Sequence, residues 1–200
     1  MAKRIEKRVR GVPTLAGSRI TLRALRPMDA VSIYRYLNDR RVNRCLPLGP
    51  KRYRMDDAHA WVRLTGELAE AGTDYHFGIE LVTTGEIVGM IGLKEVHQAD
   101  RRSEVGYWLA RPYWRQGLTE EALRLLVRFA FGTLRLHRLS GLVLATNVGS
   151  ARLLEKVGFF REVVAREHIR VGRKYVDEYT YGLLREEYSA RGVQGGRKNR

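Results

Sequence analysis

The alternation of apolar and polar positions predicts a chain built from short strands and amphipathic helices. Residues 19–25 alternate between apolar and polar side chains, which predicts the first strand. Apolar residues at helical spacing predict one helix over 29–37 and a longer one over 56–71. Two apolar runs, 76–82 and 87–93, flank a turn-rich tetrapeptide and predict a hairpin; Gly89 and Gly92 would mark close packing or a bulge in its second strand.

The second half of the chain continues the mixed pattern. It predicts, in order, a strand beginning near Glu104, a helix beginning at Leu118, a strand over 142–145, a helix after Asn147, and strands over 163–171 and 174–183. The total is about seven strands and four helices. This order indicates an α/β or α+β domain with a mixed, mostly antiparallel sheet.

The junction between the Glu104 strand and the next helix is the first candidate for chemistry. Gly117 lies where the strand has ended at Arg111-Pro112 and the amphipathic helix begins. The first amides of a helix have no intrahelical partner, and glycine lets a phosphate approach them closely. A strand–turn–helix junction is also common without any ligand, so a plain structural turn remains the alternative.

A second segment changes the balance between these readings. The run Asn147-Val148-Gly149-Ser150 opens a helix that ends in Glu155-Lys156-Val157-Gly158-Phe159, and the earlier turn reads Trp114-Arg115-Gln116-Gly117. Together they resemble the acyl-CoA-binding core of the GNAT superfamily of N-acetyltransferases. The branch that acetylates the N-terminal amine of ribosomal proteins is the most similar, and the resemblance extends over about residues 22–188.

The resemblance implies where acetyl-CoA, the cosubstrate, would bind. The amides of Gln116, Gly117, Leu118 and Thr119 would hold its pyrophosphate, and its pantetheine arm would lie like an extra strand beside Tyr107, Trp108 and Leu109. The turn departs from the family pattern at three positions. Arg115 replaces a usual glycine, Thr119 a glycine or alanine, and Glu120 a threonine; Arg115 could offset the unfavourable carboxylate of Glu120 near a pyrophosphate.

The resemblance and the residues together suggest two catalytic side chains. Ser150 would donate a hydrogen bond to the departing thiolate, or would simply lie in the first helical turn behind the cap Asn147, which could also contact CoA. Glu104 is the carboxylate best placed to accept a proton from the amine, or it is a strand-end carboxylate paired with a neighbouring base such as Arg102. His137 and His168 are weaker candidates for the base.

The acceptor side of the site is less well defined by the sequence. The resemblance places the first two helices and their connection over it, so that Cys45, Leu46 and Tyr53 would line the entrance or simply pack. The predicted acceptor is a protein N-terminus, with a small-molecule amine as the alternative. A non-enzymatic RNA-binding module with a decayed cofactor turn is the third possibility.

Charge and composition bound the remaining questions. The 200 residues contain 37 lysines and arginines against 22 acids, a net charge of +15. Residues 1–10 and 191–200 together carry +8 of it. We therefore predict a basic flexible arm over 1–17, one acetyltransferase domain over 18–188 and a basic flexible tail over 189–200. The tails could contact RNA or the ribosome, or only aid solubility.

The remaining composition excludes other classes of site. A single cysteine excludes an internal disulfide, and the five scattered histidines predict no metal site. The charged N-terminus and the lack of a long apolar run predict a cytoplasmic protein without a membrane segment. The sequence leaves monomer and homodimer equally open.

Overall fold

The computed structural model describes residues 9–43 and 52–189, and within them eight strands form one sheet that is flanked by six helices. The strands are β1 (Leu15–Ala16), β2 (Ile20–Arg23), β3 (Tyr75–Leu81), β4 (Ile87–His97), β5 (Arg102–Leu109), β6 (Arg138–Leu144), β7 (Phe160–Val171) and β8 (Lys174–Leu184). The helices are α1 (Ala30–Leu37), α2 (Arg40–Asn43), α3 (Met55–Ala71), α4 (Leu118–Arg128), α5 (Val148–Val157) and α6 (185–189). A π-helical turn, Phe129–Thr133, extends α4.

The strands lie in the order β1-β2-β3-β4-β5-β6-β8-β7, and every neighbouring pair is antiparallel except β5 and β6. The predicted mixed, mostly antiparallel sheet is therefore confirmed. The structure has one strand more than expected. The sequence pattern did not predict β1, because its two residues are too few to show alternation. It has two further helices, the four-residue α2 and the five-residue α6, which are too short to show helical spacing.

The sheet separates near its centre, between the parallel strands β5 and β6. β5 and β6 pair at three positions, the last joining Glu104 to Ser140. Beyond that point β6 continues beside β8, whereas β5 from Val105 to Leu109 pairs only with β4. The backbone of this part of β5 therefore has one edge that no strand of the described chain occupies, which creates a cleft between β5 and β6.

Two apolar clusters cover the two faces of the sheet. The larger lies between the sheet and α4 and α5, and includes Val105, Leu126 and Leu154. The smaller joins α1, α2 and α3 to the other face through Met90 and Trp108. Because successive strand residues point to opposite faces, Tyr107 lies on the α4–α5 face while Glu104 and Trp108 lie on the α1–α3 face.

The glycines of β4 mark close approaches, as the sequence predicts. A side chain at Gly89 would bring its Cβ within 2.5 Å of the Trp108 carbonyl oxygen, and one at Gly92 within 2.6 Å of His76 Nδ1. These contacts are shorter than real Cβ atoms make, so both positions need glycine. The predicted hairpin of β3 and β4 is confirmed as well, with β4 extending to His97.

Within the flexible arm predicted for residues 1–17, residues 9–17 contact α3 and the sheet. The carbonyl of Val9 accepts a hydrogen bond from the Tyr75 hydroxyl at 2.7 Å, and the amide of Gly11 donates to Ala69 at 3.3 Å. Leu15 and Ala16 pair with β2. These residues belong to the folded domain because each contact ties their backbone to the core. Residues 1–8 and 190–200 lie outside the described residues, so the RNA or ribosome contact of the tails stays a prediction.

In the described part of the chain, no helix is both long enough and apolar enough to cross a membrane.

Candidate active site

The turn between β5 and α4 is held open by side chains that bond to its own backbone. Trp114 Nε1 donates to the Leu109 carbonyl at 2.6 Å, and Gln116 Nε2 donates to the Pro112 carbonyl at 3.0 Å. Gly117 caps α4 with φ +76°, in the left-handed region that favours glycine. The hydrogen bonds of α4 begin with the Glu121 amide donating to Gly117. The amides before Glu121 are thus free to bind an anion at the positive end of the helix.

Arg19 completes this turn, and the sequence analysis missed it. Its Nη1 donates to the Gln116 carbonyl at 2.7 Å, and its Nε donates to Glu121 Oε2 at 2.9 Å. The Glu121 carboxylate also accepts hydrogen bonds from both the backbone and the hydroxyl of Ser18. The connection between β1 and β2 therefore fixes the start of α4 and brings a half-exposed guanidinium to the predicted phosphate site.

Arg115 occupies a left-handed backbone conformation that glycine would adopt without strain. Its φ is +60°, a left-handed value that costs a residue with a side chain roughly 1–2 kcal/mol. The exposed side chain keeps a positive charge beside the turn in return. Arginine at this position therefore strains the backbone but adds a positive charge beside the turn.

We expect Arg115→Gly to raise the free energy of unfolding by about 1 kcal/mol or less, because relief of the left-handed strain exceeds the added entropy of the unfolded chain. The same variant should bind acetyl-CoA more weakly, since it loses a cation near the pyrophosphate. Arg135→Gly is the matched control, because Arg135 has φ +53° but lies after α4. Urea unfolding and calorimetry should show stabilisation in both variants and weaker binding only in Arg115→Gly. Unchanged affinity in both would remove Arg115 from the phosphate site.

The carboxylate of Glu120, the third departure, is neutralised by its neighbours. Lys156 Nζ lies 2.6 Å from one of its oxygens, and Arg124 Nη2 lies 3.0 Å from the other. The hydrogen bond to Lys156 holds the pKa of Glu120 below its ordinary value. Glu120 therefore links α4 to α5 instead of facing the pyrophosphate alone. Thr119, beside it, is half-buried in the first turn.

This ion pair predicts a dependence of stability on pH. Because the pKa of Glu120 is lower in the folded protein, its contribution is complete above the unfolded value of about 4.5 and is lost as pH falls through the folded pKa. Glu120→Gln should therefore cost about 0.5–1 kcal/mol at pH 7 and almost nothing at about pH 3. Urea unfolding at both pH values measures this change in the free energy of unfolding. The exposed Glu67→Gln on α3 is the control. A cost that is equal at both pH values would show that packing, not charge, holds the link.

A pair of hydroxyl groups lies across the cleft between β5 and β6. The hydroxyl oxygen of Tyr107 is 2.8 Å from Ser150 Oγ, in a geometry that lets either donate. Burial raises the pKa of Tyr107 to about 12, so its hydroxyl keeps its proton at neutral pH. The structure thus brings together the predicted cofactor-binding tyrosine and the predicted catalytic serine.

Asn147 caps α5, as one of its two predicted roles requires. Its side-chain oxygen accepts a hydrogen bond from the Ser150 amide at 3.2 Å. The cap therefore uses the backbone of Ser150 and leaves its hydroxyl to Tyr107. A contact between Asn147 and CoA stays a prediction.

Glu104 lies on the opposite face of the sheet and already has a cationic partner. Lys94 Nζ is 2.5 Å from its carboxylate, and the two residues are register partners in β4 and β5. The predicted pairing with a base is thus observed, with Lys94 in place of Arg102, which lies 3.4 Å from Asp100 instead. Glu104 as the general base remains a prediction.

The other predicted site residues differ in which of their atoms can contact a ligand. The side chains of Leu109 and Leu118 are buried in the larger cluster, so only their backbone can face a cofactor. Trp108 packs against α1 and α3 on the acceptor side. Cys45 and Leu46, proposed for the entrance, lie outside the described residues. Among residues 9–43 and 52–189, no group of three or more histidines, cysteines or acids could hold a metal ion.

Comparisons with known proteins identify the family of the chain. Residues 19–160 match the family model described as acetyltransferase (GNAT) domain. The uncharacterized N-acetyltransferase p20 of Bacillus licheniformis is 29% identical over 88% of this chain and 98% of its own. The [Ribosomal protein uS5]-alanine N-acetyltransferase of Escherichia coli is 22% identical, over 88% and 92%.

A solved structure extends the likeness to three dimensions. That of Mycobacterium smegmatis RimJ in complex with CoA-disulfide superposes with a TM-score of 0.77 at 26% identity, covering 92% of this chain and 95% of that one. The predicted fold and the predicted class of enzyme are therefore confirmed. The chain belongs to the GNAT family of acetyltransferases, with acetyl-CoA as its cosubstrate.

Proposed function

We propose that the protein transfers the acetyl group of acetyl-CoA to the N-terminal α-amine of another protein, with ribosomal proteins as the acceptor class. The observation that carries this proposal is the contrast between the two sides of the cleft. One side offers two hydroxyls that can donate a proton, whereas the predicted base, Glu104, is held in an ion pair by Lys94. Such a site is better equipped to stabilise a leaving group than to deprotonate an amine.

The acid–base properties of amines turn this contrast into a preference. An α-amino group has a pKa of about 7.7–8.0, so a tenth or more of it is uncharged at neutral pH. A lysine side chain, with a pKa of about 10.4, needs a base to become nucleophilic. An α-amine therefore suits a site whose carboxylate already has a partner. The similarity to the uS5-alanine enzyme supports the same acceptor.

On the donor side, the described residues suit the two ends of acetyl-CoA. The free amides at the start of α4, with Arg19 and Arg115, would hold the pyrophosphate. The unpaired edge of β5 beyond Glu104 would bond to the amide groups of the pantetheine arm. Acetyl-CoA supplies the thioester that the amine attacks.

The hydroxyl pair gives the leaving group its proton donor. If Tyr107 donates to Ser150 Oγ, the hydroxyl hydrogen of Ser150 is free to point at the departing sulfur. A donor aimed at charge that develops in the transition state accelerates the reaction more than one that binds the ground state. Tyr107 is then a positioning residue, and Ser150 acts on the reacting atoms.

A small polycation is a poorer acceptor on grounds of charge. The carboxylates of Glu104 and Glu162 are paired with Lys94 and Arg138. Recognition of a polyamine needs acidic groups that are free to bind it. The basic balance of the whole chain opposes such a ligand further.

Acetyl-CoA consumption against matched acceptors tests the proposal. The panel contains a peptide with a free N-terminus and no lysine, the same peptide with a blocked N-terminus and one lysine, and spermidine. We expect the free N-terminus to exceed the other two in kcat/KM by at least about tenfold at pH 7, following the difference in free amine. Faster turnover of the lysine peptide or of spermidine would overturn the assignment.

A further inference from the structure

Three exposed arginines surround one depression beside the end of β5. Arg40 and Arg41 come from α2, and Arg111 lies two residues after the end of β5. The depression has a volume of about 550 Å³, and Asp39 is the other described residue that lines it. We call Arg40, Arg41 and Arg111 the arginine subsite.

The positive charge of the arginine subsite is only partly offset. Asp39 Oδ1 accepts a hydrogen bond from the Arg41 amide at 2.8 Å. One oxygen of this carboxylate therefore binds the backbone at the start of α2. Within the described residues, neither Arg40 nor Arg111 has a carboxylate at ion-pair distance. The exposed arginines Arg124 and Arg138, in contrast, each have one. The guanidinium groups of Arg40 and Arg111 therefore leave a site for an anion beside this depression.

The arginine subsite lies at the end of a strip that starts at the acceptor side of the cleft. Glu104, Gly106 and Trp108 share the α1–α3 face of β5, and all three are partly exposed. Lys94 lies along this strip, since a Cβ on Gly106 would be 3.2 Å from its Cε. From Glu104 to Arg111 the strip is roughly 20 Å long at the rise of a strand. An extended peptide covers that length in about six residues.

We propose that the arginine subsite binds acidic side chains of the acceptor about six residues after its N-terminal amine. This inference rests on the proposed function and adds a substrate class to it: proteins whose N-terminal segment is acidic. Arginine suits this role because its planar guanidinium can bind a carboxylate through two parallel hydrogen bonds. The net charge of +15 would also attract such acceptors over longer distances.

Single-stranded RNA is the other polyanion that this surface could bind. A second depression, of about 400 Å³, is lined by Arg52, Arg54, Tyr34, Tyr53 and Met55, and an aromatic ring can stack on a base. Asn38 lies between the two regions, because it directly precedes Asp39 of the first and its side-chain amide donates to the carbonyls of Tyr34 and Tyr53 in the second. The strip from the acceptor side ends at the arginine subsite, however, and this favours the peptide.

The test compares two peptides that share their first residues and differ only in Glu or Gln at positions about five to seven. Wild-type protein should acetylate the Glu peptide with about tenfold higher kcat/KM, through a lower KM, as expected for a few partly exposed ion pairs. The preference should shrink as salt is added. In the double variant Arg40→Gln/Arg111→Gln the preference should vanish while the rate with the Gln peptide persists. Arg128→Gln, which removes one positive charge from the exposed side of α4, should keep the preference.

Fluorescence anisotropy with both peptides and a short single-stranded RNA separates the outcomes. Equal kcat/KM and equal binding of the two peptides by wild-type protein would overturn the arginine subsite but leave the proposed function standing. Tight RNA binding that the double variant loses, without a peptide preference, would reassign the surface to RNA. If neither peptide is acetylated but the Glu peptide still binds more tightly, the proposed function fails and the subsite survives. If neither is acetylated nor preferred, both fail.

Discussion

Ser150→Ala should lower kcat by roughly thirtyfold to several-hundredfold while the affinity for acetyl-CoA hardly changes. A hydrogen bond to a departing thiolate strengthens as charge develops, so it stabilises the transition state more than the ground state. Donors of this kind contribute about 2–4 kcal/mol. Steady-state kinetics and calorimetry on one preparation measure both quantities.

The structure makes this prediction sharper than the sequence alone allows. The cap of α5 uses the Ser150 amide, which alanine retains, so the loss of the hydroxyl should leave the cap intact. The expected change in stability is therefore about 1 kcal/mol, that of a single hydrogen bond to Tyr107. Normal kcat with a lowered melting temperature would remove Ser150 from the mechanism. Ser140→Ala on β6 is the control. The Ser140 hydroxyl lies on the other face of the sheet, 3.5 Å from the Ser103 carbonyl oxygen.

Coupling between the two hydroxyls distinguishes positioning from direct donation. If Tyr107 acts through Ser150, Tyr107→Phe should lower kcat by about tenfold in wild-type protein and have little further effect in Ser150→Ala. If Tyr107 donates to the sulfur itself, the two losses should add. In either case the pKa of about 12 keeps the tyrosine protonated, so its contribution should not change between pH 6 and pH 9.

The parts of this site that the sequence predicted are local in the chain. The start of α4 at Gly117 and the cap of α5 at Asn147 follow from residues within one or two helical turns of each other. Caps and helical periodicity are short-range properties, and a single sequence is enough to see them. The Tyr107–Ser150 pair follows only once the fold places α5 beside β5.

What the sequence missed depends on register and on distant segments. Arg19 lies 97 residues before the Gln116 carbonyl that it binds, and nothing in its own surroundings distinguishes it from the other arginines. Lys94 meets Glu104 only because β4 and β5 pair in one particular register. Glu95, with φ +50°, marks the irregularity that follows this pair, but a left-handed glutamate has no signal in a single sequence.

Gly117→Val should weaken acetyl-CoA binding by tenfold or more in a protein that still folds. Valine is β-branched and tolerates φ +76° poorly, so the turn must shift away from the geometry that exposes its amides. Its Cβ would also lie 3.4 Å from Arg19 Nη2, and the further methyl groups would press on the guanidinium that fixes the Gln116 carbonyl. Calorimetry with acetyl-CoA measures the loss.

Strain alone must be separated from the loss of the phosphate site, and Gly172 allows this. It has φ +66° in the turn between β7 and β8, where an added Cβ would meet no atom within 4 Å. Gly172→Val should therefore lower the free energy of unfolding by about 1–2 kcal/mol, the cost of a side chain in the left-handed region. It should leave acetyl-CoA affinity unchanged. If Gly117→Val folds and binds acetyl-CoA as tightly as wild-type protein, the pyrophosphate does not lie at the start of α4. Equal weakening in both variants would trace the effect to global stability, because Gly172 shares the strain of Gly117 but lies in a different turn.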